Sequence, residues 1–186
     1  TKLIRSAVKI TIVLIAIGLA TPVIAQSGSD FTLTLTSTFD ASANQLWVDV
    51  AIDNAGGDMQ GFNIDVCHDS NLLTPDAILC GPPLQALNGG MGPGLVLPYI
   101  DAYGGIVYGV VFSNFGGSET IPIGFYPQMF QIRYDLTGTA AIDSELCFCD
   151  ISPCSNGSCS VAATEIVVGG QSYSPVLNCF PIFDGD

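Results

Sequence analysis

The chain has 186 residues, with 17 acidic side chains against four basic ones and a formal net charge of −13. Lys2, Arg5 and Lys9 all lie in the first 25 residues, so beyond them Arg133 alone faces 17 acids, a net charge of −16. Such a surface repels phosphate backbones and anionic lipid, which excludes nucleic acid and anionic membrane surfaces as partners.

The first element is a targeting segment. A basic head is followed by the apolar run ITIVLIAIGLA and then TPVIA, with small residues at Val23 and Ala25. This order predicts a secretory signal over residues 1–25, cleaved after Ala25. The apolar run is too short for a membrane anchor, which needs about 20 apolar residues. Residues 26–186 then suit one domain with one core, exported to the cell surface or beyond.

Short alternating strands follow in chain order. In DFTLTLTSTF, Phe31, Leu33 and Leu35 share one face and the threonines the other. QLWVDVAID places Val48, Val50 and Ile52 inward and Trp47, Asp49 and Ala51 outward, and the turn NAGGD ends it. GFNIDVCH turns Phe62, Ile64 and Val66 inward, and LLTPDAILC is a short extended piece interrupted by Pro75. The Gly/Pro-rich stretch GPPLQALNGGMGPGLVLPYIDAYGG is expected to be a long surface connection. GIVYGVVFSNF and PQMFQIRYDL are two further strands; the second puts Phe130, Ile132, Tyr134 and Leu136 on one side and Gln131, Arg133 and Asp135 on the other. SELCFC, TEIVVGGQ with a bend at Gly169-Gly170, and CFPIF complete the series. Eight or nine strands between Gly, Pro and Asn turns predict an all-β sandwich.

Seven cysteines follow the targeting segment: Cys67, Cys80, Cys147, Cys149, Cys154, Cys159 and Cys179. The C-x-C-x4-C-x4-C run lacks the C-x2-C pairs of structural zinc, and an exported chain meets an oxidising compartment, so all seven are disulfide candidates. Cys154 and Cys159 flank an SNGS turn and form the natural local pair. Cys147 and Cys149 point to one side of a strand and reach towards Cys67, Cys80 or Cys179. An odd count leaves one thiol over, buried or available for a covalent multimer. The Asn156-Gly157-Ser158 sequon is read chiefly as a turn.

Cys67-His68-Asp69 carries the only histidine and has the ingredients of a nucleophilic site. Neighbouring side chains on a strand point to opposite faces, so Cys67 and His68 cannot make the hydrogen bond that activates a nucleophile. No second histidine can serve as base, and no motif singles out two of the acids. The expectation is no catalytic residue, no metal and no cofactor.

LWVDVAIDNAGGDMQGFNIDVCHDSNLLT resembles the strand pair of cohesin domains, with His68-Asp69-Ser70 standing where that family has Tyr-Asp-Pro. GGIVYGVVFSNFGGSETIPIGFYPQMFQIRYDLTG is similar to the family's later pattern of strand, loop, Ile-Pro element and strand. VCHD, CFCD and ALNGGMGP are similar to a cysteine-bearing, cohesin-like module of secreted bacterial proteins. The resemblance implies a nine-stranded jelly-roll sandwich, shared with several carbohydrate-binding modules. It also implies a non-catalytic role, holding an extracellular dockerin-type protein or a polysaccharide on one sheet face. Seven cysteines and a single domain depart from the scaffold-borne members.

For a protein partner, the outward residues Asn63, Asp65, Gln131 and Arg133 are the candidate face. For a polysaccharide, Trp47 with Tyr99 and Tyr103 is the candidate stacking set. A structural or adhesive surface domain without a discrete ligand is the remaining alternative.

Overall fold

The computed structural model describes residues 26–101, 105–114, 118–137, 144–149, 154–155, 158–159 and 163–182. The export signal expected over 1–25, Tyr103 and Asn156 lie outside the described residues, as do the side chains of Cys154 and Cys159. In chain order the strands are β1 (Phe31–Asp40), β2 (Gln45–Asn54), β3 (Met59–Cys67), β4 (Leu73–Cys80), β5 (Leu95–Asp101), β6 (Gly105–Val111) and β7 (Gly124–Leu136). Then come β8 (Ser144–Phe148), β9 (Cys154–Ser155), β10 (Ser158–Cys159), β11 (Glu165–Val168), β12 (Gln171–Tyr173), β13 (Val176–Asn178) and β14 (Phe180–Ile182). Two four-residue helical turns, α1 (Pro82–Gln85) and α2 (Leu87–Gly90), lie between β4 and β5.

The strands form two facing sheets. The first runs β13-β1-β2-β7-β4, and the second runs β12-β11-β3-β6-β5. β8 lies beside the end of β3, on the edge that β11 occupies further along, and β14 lies outside β8. Alternation decides what each strand buries, because successive side chains leave opposite faces of the pleat. Phe31, Leu33 and Leu35 of β1, Val48, Val50 and Ile52 of β2, and Phe130, Ile132 and Tyr134 of β7 are all fully buried. Phe62, Ile64 and Val66 of β3 face them from the second sheet, with Ile106, Tyr108 and Val110 of β6. The Phe130 ring stacks on Phe62 with centroids 5.8 Å apart and meets Tyr108 at 4.7 Å, which locks the sheets together. Burying one such ring contributes about 2–3 kcal/mol.

The turns carry their own fastenings. Asn54 is buried at the end of β2; its amide donates to the carbonyls of Gly57 (2.7 Å) and Pro122 (3.0 Å), while its oxygen accepts from the Gly56 and Gly57 amides. The β11–β12 hairpin bends through Gly169 and Gly170, at φ of 58° and 75°, where a side chain would be strained. Prolines interrupt the edge strands β4 (Pro75), β5 (Pro98) and β14 (Pro181), removing the amides on which a foreign strand would pair. Pro127, in the interior strand β7, sits at the bulge opposite the Val50–Ile52 step of β2, where the ladder is already irregular.

The Gly/Pro-rich stretch is not a plain connection, as its composition suggested. It holds α1, α2 and the edge strand β5, whose seven residues pair in unbroken register with β6. β13, absent from the sequence reading, crosses to the first sheet and runs parallel to β1.

Candidate functional site

The Cys67-His68-Asp69 trio is taken apart by the end of β3. Cys67 leaves the outer face and is bonded to Cys149. His68 is buried, with its ring edge-on to Tyr134 at 5.0 Å. Asp69 caps the following turn, its carboxylate accepting from the Asn71 backbone amide at 2.9 Å. A sulfur in a disulfide cannot attack a substrate, so the trio is structural.

β8 is held from both sides. Cys149 reaches across to Cys67 on β3, and Cys147 to Cys179 just before β14, with Cα atoms 5.8 Å and 4.5 Å apart. Cys154 and Cys159 stand opposite each other in the β9–β10 pair. Cys80 is the free cysteine among the described residues, which removes it from the disulfide candidates. Its sulfur lies 3.3 Å from the Tyr108 hydroxyl. Burial and this contact push the Tyr108 phenol well above the ordinary tyrosine range.

The candidate partner face does not assemble as one surface. Asn63 and Asp65 belong to β3 of the second sheet, and Gln131 and Arg133 to β7 of the first, so the pairs leave opposite sides of the sandwich. Alternation identifies an outward residue but not the sheet that carries it. Asp65 is moreover fully buried: its carboxylate accepts from Asn63 at 3.0 Å and its backbone amide donates to the Thr164 hydroxyl. The candidate stacking set also separates. Trp47 is on β2 of the first sheet and Tyr99 on β5 of the second, and the Arg133 guanidinium lies 5.3 Å from the Trp47 ring centre.

The outer face of the second sheet shows what the sequence reading missed. Register sets Leu95, Val111, Gly61 and Val167 in one row across β5, β6, β3 and β11, and Leu97, Gly109, Asn63 and Glu165 in the next. Leu95, Leu97, Tyr99 and Val111 are 47%, 58%, 39% and 48% exposed. Gly61 and Gly109 floor a shallow depression of about 320 Å³ beside Leu95, Leu97 and Val111, with Glu165 and Val167 on its far rim. A flat, largely apolar surface on a rigid sheet, dented where side chains are missing, is suited to receive a protruding apolar side chain of another protein. The available signal was the apolar run LVLPY within a Gly/Pro-rich stretch and the glycine that breaks the apolar run GIVYGVV.

The outer face of the first sheet is polar around Trp47, with the exposed Leu79 of β4 in register beside Gln131. One row holds Trp47 of β2 beside Arg133 of β7, and Arg133 pairs with Asp76 of β4 through both Nε and Nη2. On one side of this row Asp49 Oδ1 accepts from Gln128 at 2.6 Å and Gln131 at 2.8 Å. On the other side Gln45 donates to Asp135 at 2.9 Å.

No family model matches the sequence, and no curated protein matches it. Solved structures do match the fold. The seventh ScaB type I cohesin from Pseudobacteroides cellulosolvens is similar at a TM-score of 0.54 and 11% identity, over 84% of this chain and 94% of that one. A non-cellulosomal cohesin from the archaeon Archaeoglobus fulgidus is similar at 0.53 and 17% identity, over 84% and 93%. The sixth cohesin of scaffoldin B from Acetivibrio cellulolyticus, solved in complex with a dockerin, is similar at 0.50 and 14% identity, over 74% and 86%. The sandwich of this chain is therefore cohesin-like in fold.

Proposed function

We propose that the chain is an exported, non-catalytic binding module that holds a dockerin-type protein against the outer face of the second sheet. The observation that carries this reading is the exposed apolar patch of Leu95, Leu97 and Val111 around the Gly109 depression, continued along β5 by Tyr99. Apolar area of this kind, set on a sheet pinned by β3 and β6, is stabilised when a partner covers it. The cohesin-like fold adds support, because one of the similar cohesins was solved with a dockerin bound. Export agrees with the basic head and apolar run of residues 1–25 and with two disulfides.

The test is capture from the exported proteins of the source cell on the immobilised chain, with identification of what is retained. The reading expects a dockerin-bearing protein; retention of no exported protein would overturn it.

A further inference from the structure

The two outer faces differ in chemistry, and the polar one is not used by the docking reading. We propose that the Trp47–Arg133–Asp76 row on the first sheet is a binding strip for a neutral polysaccharide.

Three features converge there. Indole and guanidinium are both planar and delocalised, and Arg133 is held over the Trp47 ring, 5.3 Å from its centre, by its double contact with Asp76. Both partners of that ion pair keep solvent contact, at 31% and 37% side-chain exposure. The solvent-facing guanidinium, with the part of the half-buried indole that it leaves open, thus offers a flat surface for the C–H face of a pyranose ring, an apolar body with polar edges. Hydroxyl-seeking groups flank the platform on both sides: Asp49 with Gln131, and Gln45 with Asp135. These side chains already hold one another in place on β2 and β7, strands paired on both sides within the sheet. A ligand therefore meets an ordered array, and the cost of immobilising side chains on binding is small.

Charge narrows the ligand class. Arg133, the only cation among the described residues, is committed to Asp76, and Asp49, Asp76 and Asp135 surround the strip. An anionic sugar is repelled by this field, whereas a neutral one is not. A lysine-rich peptide is the competing occupant that carboxylates invite. It is disfavoured because a cation, Arg133, already sits at the centre of the row and repels a second one there.

Trp47 is the only tryptophan of the chain, so its fluorescence reports from the strip alone. The experiment is titration of the mature chain with neutral cello-, xylo-, manno- and chito-oligosaccharides, with an oligogalacturonate and a lysine-rich peptide as comparison arms. The expected result is a saturable spectral shift with at least one neutral sugar and none with the comparison arms. Gln131→Ala keeps the reporter and weakens that binding roughly tenfold, the scale of one well-made hydrogen bond. Trp47→Ala abolishes retention on the matching insoluble polysaccharide. The proposal is overturned by no shift with any neutral sugar, by a shift that Gln131→Ala leaves unchanged, or by an equal response to either comparison arm. None of these readouts depends on the protein-docking face.

Discussion

Gly109 stands in register between Asn63 of β3 and Leu97 of β5, and a Cβ placed on it would meet Asn63 Oδ1 at 3.4 Å and Leu97 Cβ at 3.7 Å. Those are ordinary contacts, and the backbone there is extended. The missing side chain is therefore not demanded by strain or crowding; its effect is to leave the depression open. Gly109→Leu should fill the depression with little change in thermal midpoint, within about 0.5 kcal/mol as for most surface substitutions. A thermal unfolding curve of the variant checks this.

Tyr134 and His68 form the second informative pair, their rings edge-on at the end of the core. The Tyr134 hydroxyl is buried without a hydrogen-bond partner among the described residues. Removing it relieves an unsatisfied polar group, so Tyr134→Phe should stabilise the chain by about 1 kcal/mol. His68→Ala removes a packed ring and should cost about 2 kcal/mol or more. Denaturant midpoints of the two variants should move in opposite directions.

The disulfides should differ in worth. Cys67–Cys149 closes 82 residues and Cys147–Cys179 closes 32. On a chain-entropy basis these are worth about 4.5 and about 3.7 kcal/mol. Paired Cys→Ala variants, compared by denaturant unfolding with the oxidised chain, should lose stability in that order.

Alkaline pH should unfold the sandwich. Burial raises the phenol of Tyr134, and burial with the Cys80 contact raises that of Tyr108, both from an ordinary value of 10.0. Below that pH both phenols are protonated in either state and the stability is intact. Above it the unfolded chain ionises while the folded one resists, so stability falls with rising pH. The slope is up to about 1.4 kcal/mol per pH unit for each tyrosine. Phenolate absorbance followed alongside circular dichroism should show these two residues ionising only with loss of the fold.

The strands that fill the core were legible because each has one buried face: the inward residues read from β1, β2, β3 and β7 are buried, Leu136 at the end of β7 only partly. Ala51 and Asp65, read as outward, are buried as well because the sheet surface above them is covered. β5 was hidden for the opposite reason. As an edge strand with Pro98 in it and exposed side chains on both faces, it carries no alternation to read. The candidate face failed at the next level up. Asn63 and Arg133 are both outward, but outwardness is local, and sheet membership depends on pairings far apart in the chain. The docking patch needs three strands brought into register before Leu97, Gly109 and Asn63 become neighbours.

The most direct measurement of the docking account is calorimetric titration of the captured partner into the wild-type chain and into Gly109→Leu. The account predicts an affinity at least roughly tenfold weaker for the variant, on the scale of a blocked anchor pocket, with the fold intact. Equal affinity in the two chains would contradict it.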